Sequence, residues 1–210
     1  RRALNPDGPV DHDGPVLQVS GPVGEIRALV FGYACHNTTL VSDEYRFHGD
    51  YAGVAQSRLQ ERYPGAVAMF VAGCCGDANP SPRGRPEHVS KYGAELAGAV
   101  AETLAARMLE IRGRLRCART EVPVLFAPTP PREVWEAKRK DESIYVRRHA
   151  EMMLAALDRD GRLPDRYPYT AQVWRFGEDL TLIPLAGEVV VDYALRLKRG
   201  NGFKHMHNKR

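Results

Sequence analysis

The stretch AVAMFVAGCCGDANP, residues 66–80, decides how this chain is read. Its first six residues, Ala66 to Val71, form a continuous apolar run with glycine on both sides, the pattern of a strand covered on both faces. The run ends in the loop Gly73 to Pro80, whose Gly, Asp, Asn and Pro residues are turn formers. Upstream, Asp50 is placed to cap a helix through about Tyr63, with Val54, Leu59 and Tyr63 on one face and Pro64-Gly65 as its stop. Downstream, Glu87 to Met108 is rich in Ala and Leu and has no breaking proline, as a long helix packed on a sheet requires. Helix, strand, loop and helix in that order predict an α/β domain.

Working outward, Val16 to Val19 and Ile26 to Ala34 are rich in β-branched and aromatic residues and are separated by Gly21, Pro22 and Gly24, so they read as two strands joined by a turn. Residues 114–127 read as a strand pair or one long strand. Residues 132–158 carry charges at most positions and apolar residues at helical intervals, which predicts one exposed amphipathic helix. Beyond Gly161 and Pro164, Tyr169 to Phe176 and Leu180 to Leu185 form two more strand candidates around the turn Gly177-Glu178-Asp179. Gly187-Glu188 then opens a helix to about Arg199. Two hairpins among strands that alternate with helices predict a layered α/β fold with a mixed sheet and flanking helices. The expected domain spans residues 1–200, and residues 201–210 form a tail.

A chain of 210 residues with 43% hydrophobic content can bury one sizeable core. Its 30 basic and 26 acidic residues are interspersed, so no stripe of the kind a phosphate backbone needs is visible and nucleic acid is not an expected partner. No apolar run approaches the roughly 18 residues that mark a membrane-spanning helix. The first residues also lack the apolar region of a signal peptide. The cysteines Cys35, Cys74, Cys75 and Cys117 match no zinc-finger or thioredoxin spacing, and a bridge between the neighbours Cys74 and Cys75 would be strained. They read as buried thiols, with a nucleophilic Cys74 or Cys75 as the other option.

Three places carry chemistry, each where a strand ends. Cys35-His36-Asn37-Thr38-Thr39 presents an imidazole to a cleft, or else holds a histidine hydrogen-bonded within its turn. In the loop Gly76 to Pro80, Asp77 and Asn79 are turn formers whatever else they do. Glu188 offers a carboxylate after the strand LTLIPLA, or else a first-turn glutamate favoured by a helix dipole.

Taken in order, these elements resemble the neutral or alkaline non-lysosomal ceramidase family. YACHNTT at 33–39 is similar to the family's His-Pro-Thr-like turn, with Asn37 in place of the proline. His48-Gly49-Asp50 corresponds to its Ser-Gly-Asp element, FVAGCCGDANP at 70–80 to its Gly-Asp-x-Ser-Pro loop, and IPLAGEVVVDYALRLKR at 183–199 to its Leu-Pro-Gly-Glu segment. The resemblance covers about residues 8–199. It implies that His36 and Glu188 are zinc ligands facing one shared cleft, that Asp77 and Asn79 are catalytic positions, and that a small-molecule or lipid-like amide is the substrate. It is compatible with a secreted or periplasmic setting and leaves the oligomeric state open.

Two departures shape the expected chemistry. The family's serine nucleophile falls on Asn79, whose amide cannot attack, and Ser81 lies two residues on. A further zinc histidine and a later tyrosine have no counterpart in matching context, so the chain reads as an excerpt of a longer protein with weak or no zinc occupancy. Two imidazoles and a carboxylate on zinc would leave a position for a water made acidic by the metal. Hydroxide would then attack an amide directly, with Asn79 donating to the oxyanion and Asp50 or Asp77 orienting a ligand histidine. The alternatives are an inactive lipid- or carbohydrate-binding relative and a thiol hydrolase using Cys74 or Cys75.

Overall fold

The computed structural model describes residues 4–41 and 46–200, so the tail expected at 201–210 lies outside the described residues. Backbone contacts group into two compact units: the residues through Arg112 together with those from Gly187 onward, and Gly113–Ala186.

In the first unit, β1 (Val16–Ser20) and β2 (Ile26–Tyr33) form the expected antiparallel hairpin, and β2 pairs in parallel with β3 (Val67–Ala72), giving the order β1-β2-β3. A parallel pair needs a crossover, and α1 (Asp50–Arg62) supplies it. The second helix, α2 (Pro86–Ala105), packs beside α1 so closely that a Cβ on Gly93 would sit 2.5 Å from Val54 Cβ. Leu29, Phe31 and Ala68 of the sheet meet Ala55 and Leu59 of α1 and Val100 of α2 in one core.

Only one face of β3 is covered, contrary to the expectation for its continuous apolar run. Ala68 is in the core, whereas Val67, Met69 and Val71 are 55%, 42% and 44% exposed. Both α1 and α2 lie against the Leu29–Phe31–Ala68 face, and β3 is an edge strand. Asp50 also departs from its expected capping role, because Gly49 holds the N-cap position and makes no side-chain cap bond. Asp50 is buried with φ +53°, and its carboxylate accepts the backbone N–H groups of Leu40 (3.0 Å) and Tyr51 (2.8 Å).

The last helix of this unit, α5 (Val191–Gly200), begins three positions beyond Glu188, so Glu188 is not a first-turn residue. Lys198 on α5 donates to both carboxylate oxygens of Asp11 (2.6 and 2.7 Å) and to Asp13 (2.6 Å). Burial pulls the Lys198 pKa down, but its bonds to Asp11 and Asp13 outweigh that and leave it above the ordinary lysine value of 10.5. A raised folded-state pKa contributes stability fully below the unfolded value and loses it as pH rises through the folded one. Lys198→Met leaves the mostly buried Asp11 carboxylate without this cation, at an expected cost of about 1–3 kcal/mol. In denaturant titrations the gap to wild type should persist near neutral pH and close above the ordinary lysine value. A gap that stays constant into strong alkali would refute the ion pair as its source.

In the second unit, β4 (Leu115–Leu125) is one long strand that pairs antiparallel along its whole length with β5 (Arg166–Phe176), and β6 (Leu180–Leu182) pairs antiparallel with β5. The amphipathic segment forms two helices, α3 (Arg132–Lys138) and α4 (Ile144–Asp160), rather than one. The break has a local cause. Asp141 Oδ1 accepts the Ser143 N–H at 2.8 Å, and the Arg147 guanidinium donates to the carbonyls of Asp141 and Glu142, both at 2.8 Å, so side chains take over backbone partners. Trp135, Ala150 and Leu154 form a small core between the two helices. The chain is thus an α/β fold with one mixed and one antiparallel sheet. Among the described residues no helix is long and apolar enough to cross a membrane.

Candidate functional site

Parallel pairing aligns the ends of β2 and β3, with Tyr33 opposite Ala72 and the Gly73 N–H donating to Tyr33 O at 3.0 Å. The turn after β2 and the loop after β3 therefore emerge side by side. His36 binds that loop twice: its backbone N–H donates to Ala78 O at 3.0 Å, and its ring Nδ1 lies 2.9 Å from the same oxygen. A carbonyl only accepts, so Nδ1 carries a proton, and in the neutral imidazole Nε2 then holds the lone pair. The orienting partner is thus a backbone carbonyl, while the Asp50 and Asp77 carboxylates are engaged with backbone N–H groups elsewhere.

Asn79 is held in the next contact of the same pair of segments. Thr38 Oγ1 donates to Asn79 Oδ1 at 3.0 Å, and Arg83 Nη1 approaches that oxygen at 3.4 Å. An arginine can only donate, so the amide oxygen faces Thr38 and Arg83, and the Nδ2 group is left to donate outward. Asp77 works in the other direction along the loop. Its Oδ1 accepts the N–H of Val191 at 3.0 Å, which satisfies an orphan donor at the start of α5. Beside it, the Gly76 N–H donates to Val189 O at 2.8 Å. The approach requires glycine, since a Cβ at position 76 would lie 2.4 Å from Glu188 O, a backbone atom that cannot swing aside. Gly73 to Pro80 therefore joins the CHNT turn on one side to the Gly187-Glu188-Val189 segment on the other. Glu188 itself is exposed, and its charge is felt at Cys75.

Tyr51 belongs to the site although nothing in its sequence context marks it. Its hydroxyl donates to Cys35 O at 2.7 Å, bracing the turn that carries His36, and only the crossover helix brings it there. Arg83 was equally invisible, lying in a proline- and glycine-rich stretch with no motif around it.

The cysteines divide by environment: Cys75 is buried, Cys35 and Cys74 are half-buried, and Cys117, expected inside, is exposed on β4. Burial pushes the Cys35 thiol up to about 11, with Cys75 and Asp50 adding to it. Burial likewise raises the Cys74 and Cys75 thiols. A nucleophilic thiolate needs the opposite shift.

A zinc ligand histidine ordinarily donates its second ring nitrogen to a carbonyl or carboxylate, and His36 has that arrangement. The donor set stops there. Among the described residues no three or more His, Cys, Asp or Glu side chains group in a way that could hold a metal ion, so they do not fit a complete zinc site.

No family profile matches the chain, and no curated protein matches it. Solved structures do. Neutral ceramidase from Pseudomonas aeruginosa superposes with a TM-score of 0.64 at 17% identity, over 93% of this chain and 38% of that one. A ceramidase complexed with C2 superposes with a TM-score of 0.66 at 15% identity, over 93% of this chain and 40% of that one. The fold is ceramidase-like, and the chain spans about two fifths of the length of those structures.

Proposed function

We propose that this chain carries the loop framework of a ceramidase-like hydrolase of linear amides, with an ester as the easier substrate, in which water rather than a side chain attacks the carbonyl. The observation that supports this most is the joint anchoring of His36 and Asn79 on one loop within a ceramidase-like fold. His36 Nε2 has the free lone pair needed to accept a proton from water. Asn79 Nδ2 is the donor left over for the charge that develops on the carbonyl oxygen. Asp77 acts through position, fixing the start of α5, while the neighbouring Gly76 N–H ties down Val189. A catalytic zinc would add Lewis-acid chemistry at His36 and Glu188, but the described residues complete no such site and no step is derived through it.

The test is to offer the purified protein N-acyl amides and p-nitrophenyl esters while treating it with a serine-directed phosphonate and measuring its metal content. The expected result is turnover with no covalent adduct and less than stoichiometric zinc. An adduct on Ser81, Cys74 or Cys75 after substrate quench would replace the water route by nucleophilic catalysis. Substrate binding without turnover would favour a non-catalytic lipid- or carbohydrate-binding relative.

A further inference from the structure

Arg83 reaches the amide that carries the proposed oxyanion donor, and among the described residues it has no carboxylate partner. Its one side-chain hydrogen bond among the described residues is the 3.4 Å approach of Nη1 to Asn79 Oδ1. Some exposed arginines hold an acidic side chain, as Arg112, Arg159 and Arg166 do at 2.6–2.8 Å, and others, Arg58 and Arg85 among them, hold none among the described residues, so what sets Arg83 apart is its place beside Asn79. Most of the five N–H donors of Arg83 have no partner among the described residues. The backbone holds it in place, since the Gly84 N–H donates to Thr39 O at 2.7 Å and Tyr92 OH donates to Pro82 O at 2.8 Å. The guanidinium thus sits at the oxygen end of the Asn79 amide whose nitrogen end is the proposed donor.

From this juxtaposition we infer that the substrate of the proposed hydrolase carries a carboxylate next to its scissile amide, as in an N-acyl amino acid, and that Arg83 is the specificity residue that binds it. This rests on the hydrolase reading above. A planar guanidinium matches a carboxylate through two parallel N–H···O bonds, and a neutral amino alcohol at the same place offers no such match. The anion would lie on the amine side of the bond that is cut, so it leaves with the product.

N-lauroylglycine and N-lauroylethanolamide share acyl chain and amide and differ in the carboxylate. The purified protein should show a kcat/KM about tenfold higher for the glycine conjugate, the size expected of one exposed charge-assisted contact. Arg83→Leu should bring the ratio of the two substrates to about one, with the change carried mainly by the KM of the glycine conjugate, and Arg83→Lys should restore part of it. If Arg83 only positions Asn79, both substrates lose kcat together and the ratio stays put, which overturns the inference. Equal cleavage of both substrates by the wild type also overturns it while leaving the hydrolase reading intact. If neither is cleaved, the hydrolase reading fails, and calorimetric titration decides the rest. Tighter binding of N-lauroylglycine that Arg83→Leu abolishes supports the carboxylate contact of Arg83 without the cleavage it was tied to, and equal binding of the two ligands refutes that contact as well.

Discussion

Asn79→Ala is expected to lower kcat for amide and ester substrates by about 10²–10³-fold, the cost of removing one donor from an oxyanion site. The expectation follows from how the side chain is pinned. Thr38 and Arg83 occupy Oδ1, so only the Nδ2 hydrogens remain for a ligand, and alanine removes them while leaving the loop bonds of Gly76, Asp77 and Ala78 in place. Asn79→Asp should lose at least as much, because a carboxylate repels the developing negative charge. Ser81→Ala should stay within a few-fold of wild type, since neither the proposed water attack nor the oxyanion contact uses that hydroxyl. Steady-state kinetics on one ester and one amide check all three variants. Retention of wild-type kcat in Asn79→Ala, or loss of activity in Ser81→Ala, would move the chemistry off Asn79.

The second large effect is on stability. Phe31 is 1% exposed at the centre of the first unit's core, where its ring meets Phe70 edge-on with centroids 5.7 Å apart, and Phe70 in turn meets Tyr51 at 5.9 Å. Phe31→Ala removes that ring and leaves a cavity that strands on one side and helices on the other cannot readily close, so the expected loss is about 3–5 kcal/mol. Phe31→Leu keeps most of the volume and should cost less than about 1.5 kcal/mol. Circular dichroism melts of the two variants check the ranking. Near-equal midpoints for Phe31→Ala and wild type would show that Phe31 is not the core residue its burial indicates. Because Tyr51 braces Cys35 O from the other end of this aromatic row, Phe31→Ala should also weaken the anchoring of the His36 turn.

Local pattern was enough for the elements whose own residues decide them. The β1–β2 hairpin follows from β-branched runs on either side of Gly21 and Gly24, α2 from an Ala- and Leu-rich stretch without proline, and α1 from a helical pattern stopped at Pro64-Gly65. The order of CHNT turn, GDANP loop and Gly187-Glu188 segment was also legible, since each sits just past an apolar strand, and it led to the ceramidase-like fold that the solved structures bear out. Where local and distant partners compete, the pattern was insufficient. The break at 139–143 depends on Asp141 and Arg147 taking backbone partners from a helix that composition alone would continue. The coverage of β3 depends on which side α1 and α2 pack, a choice that alternating Val67, Ala68, Met69 and Phe70 do not encode because all four are apolar.

The site shows the same division at closer range. Residue type by itself marked His36, Asp77, Asn79 and Glu188, because imidazole, carboxylate and amide groups beside strand ends are chemically conspicuous. What each does was decided by tertiary contacts across long sequence separations. Parallel pairing of β2 with β3 sets Ala78 O against the His36 ring and so selects the tautomer. The approach of the Glu188–Val189 backbone to Gly76 brings Asp77 to the start of α5 as an acceptor, and the fold of residues 79–83 leaves the Asn79 Nδ2 group outward while bringing Arg83, which has no carboxylate partner among the described residues, beside the amide oxygen. Sequence carries the chemistry of a side chain, but only the folded chain chooses its partner, since a hydrogen bond is decided within about 3 Å.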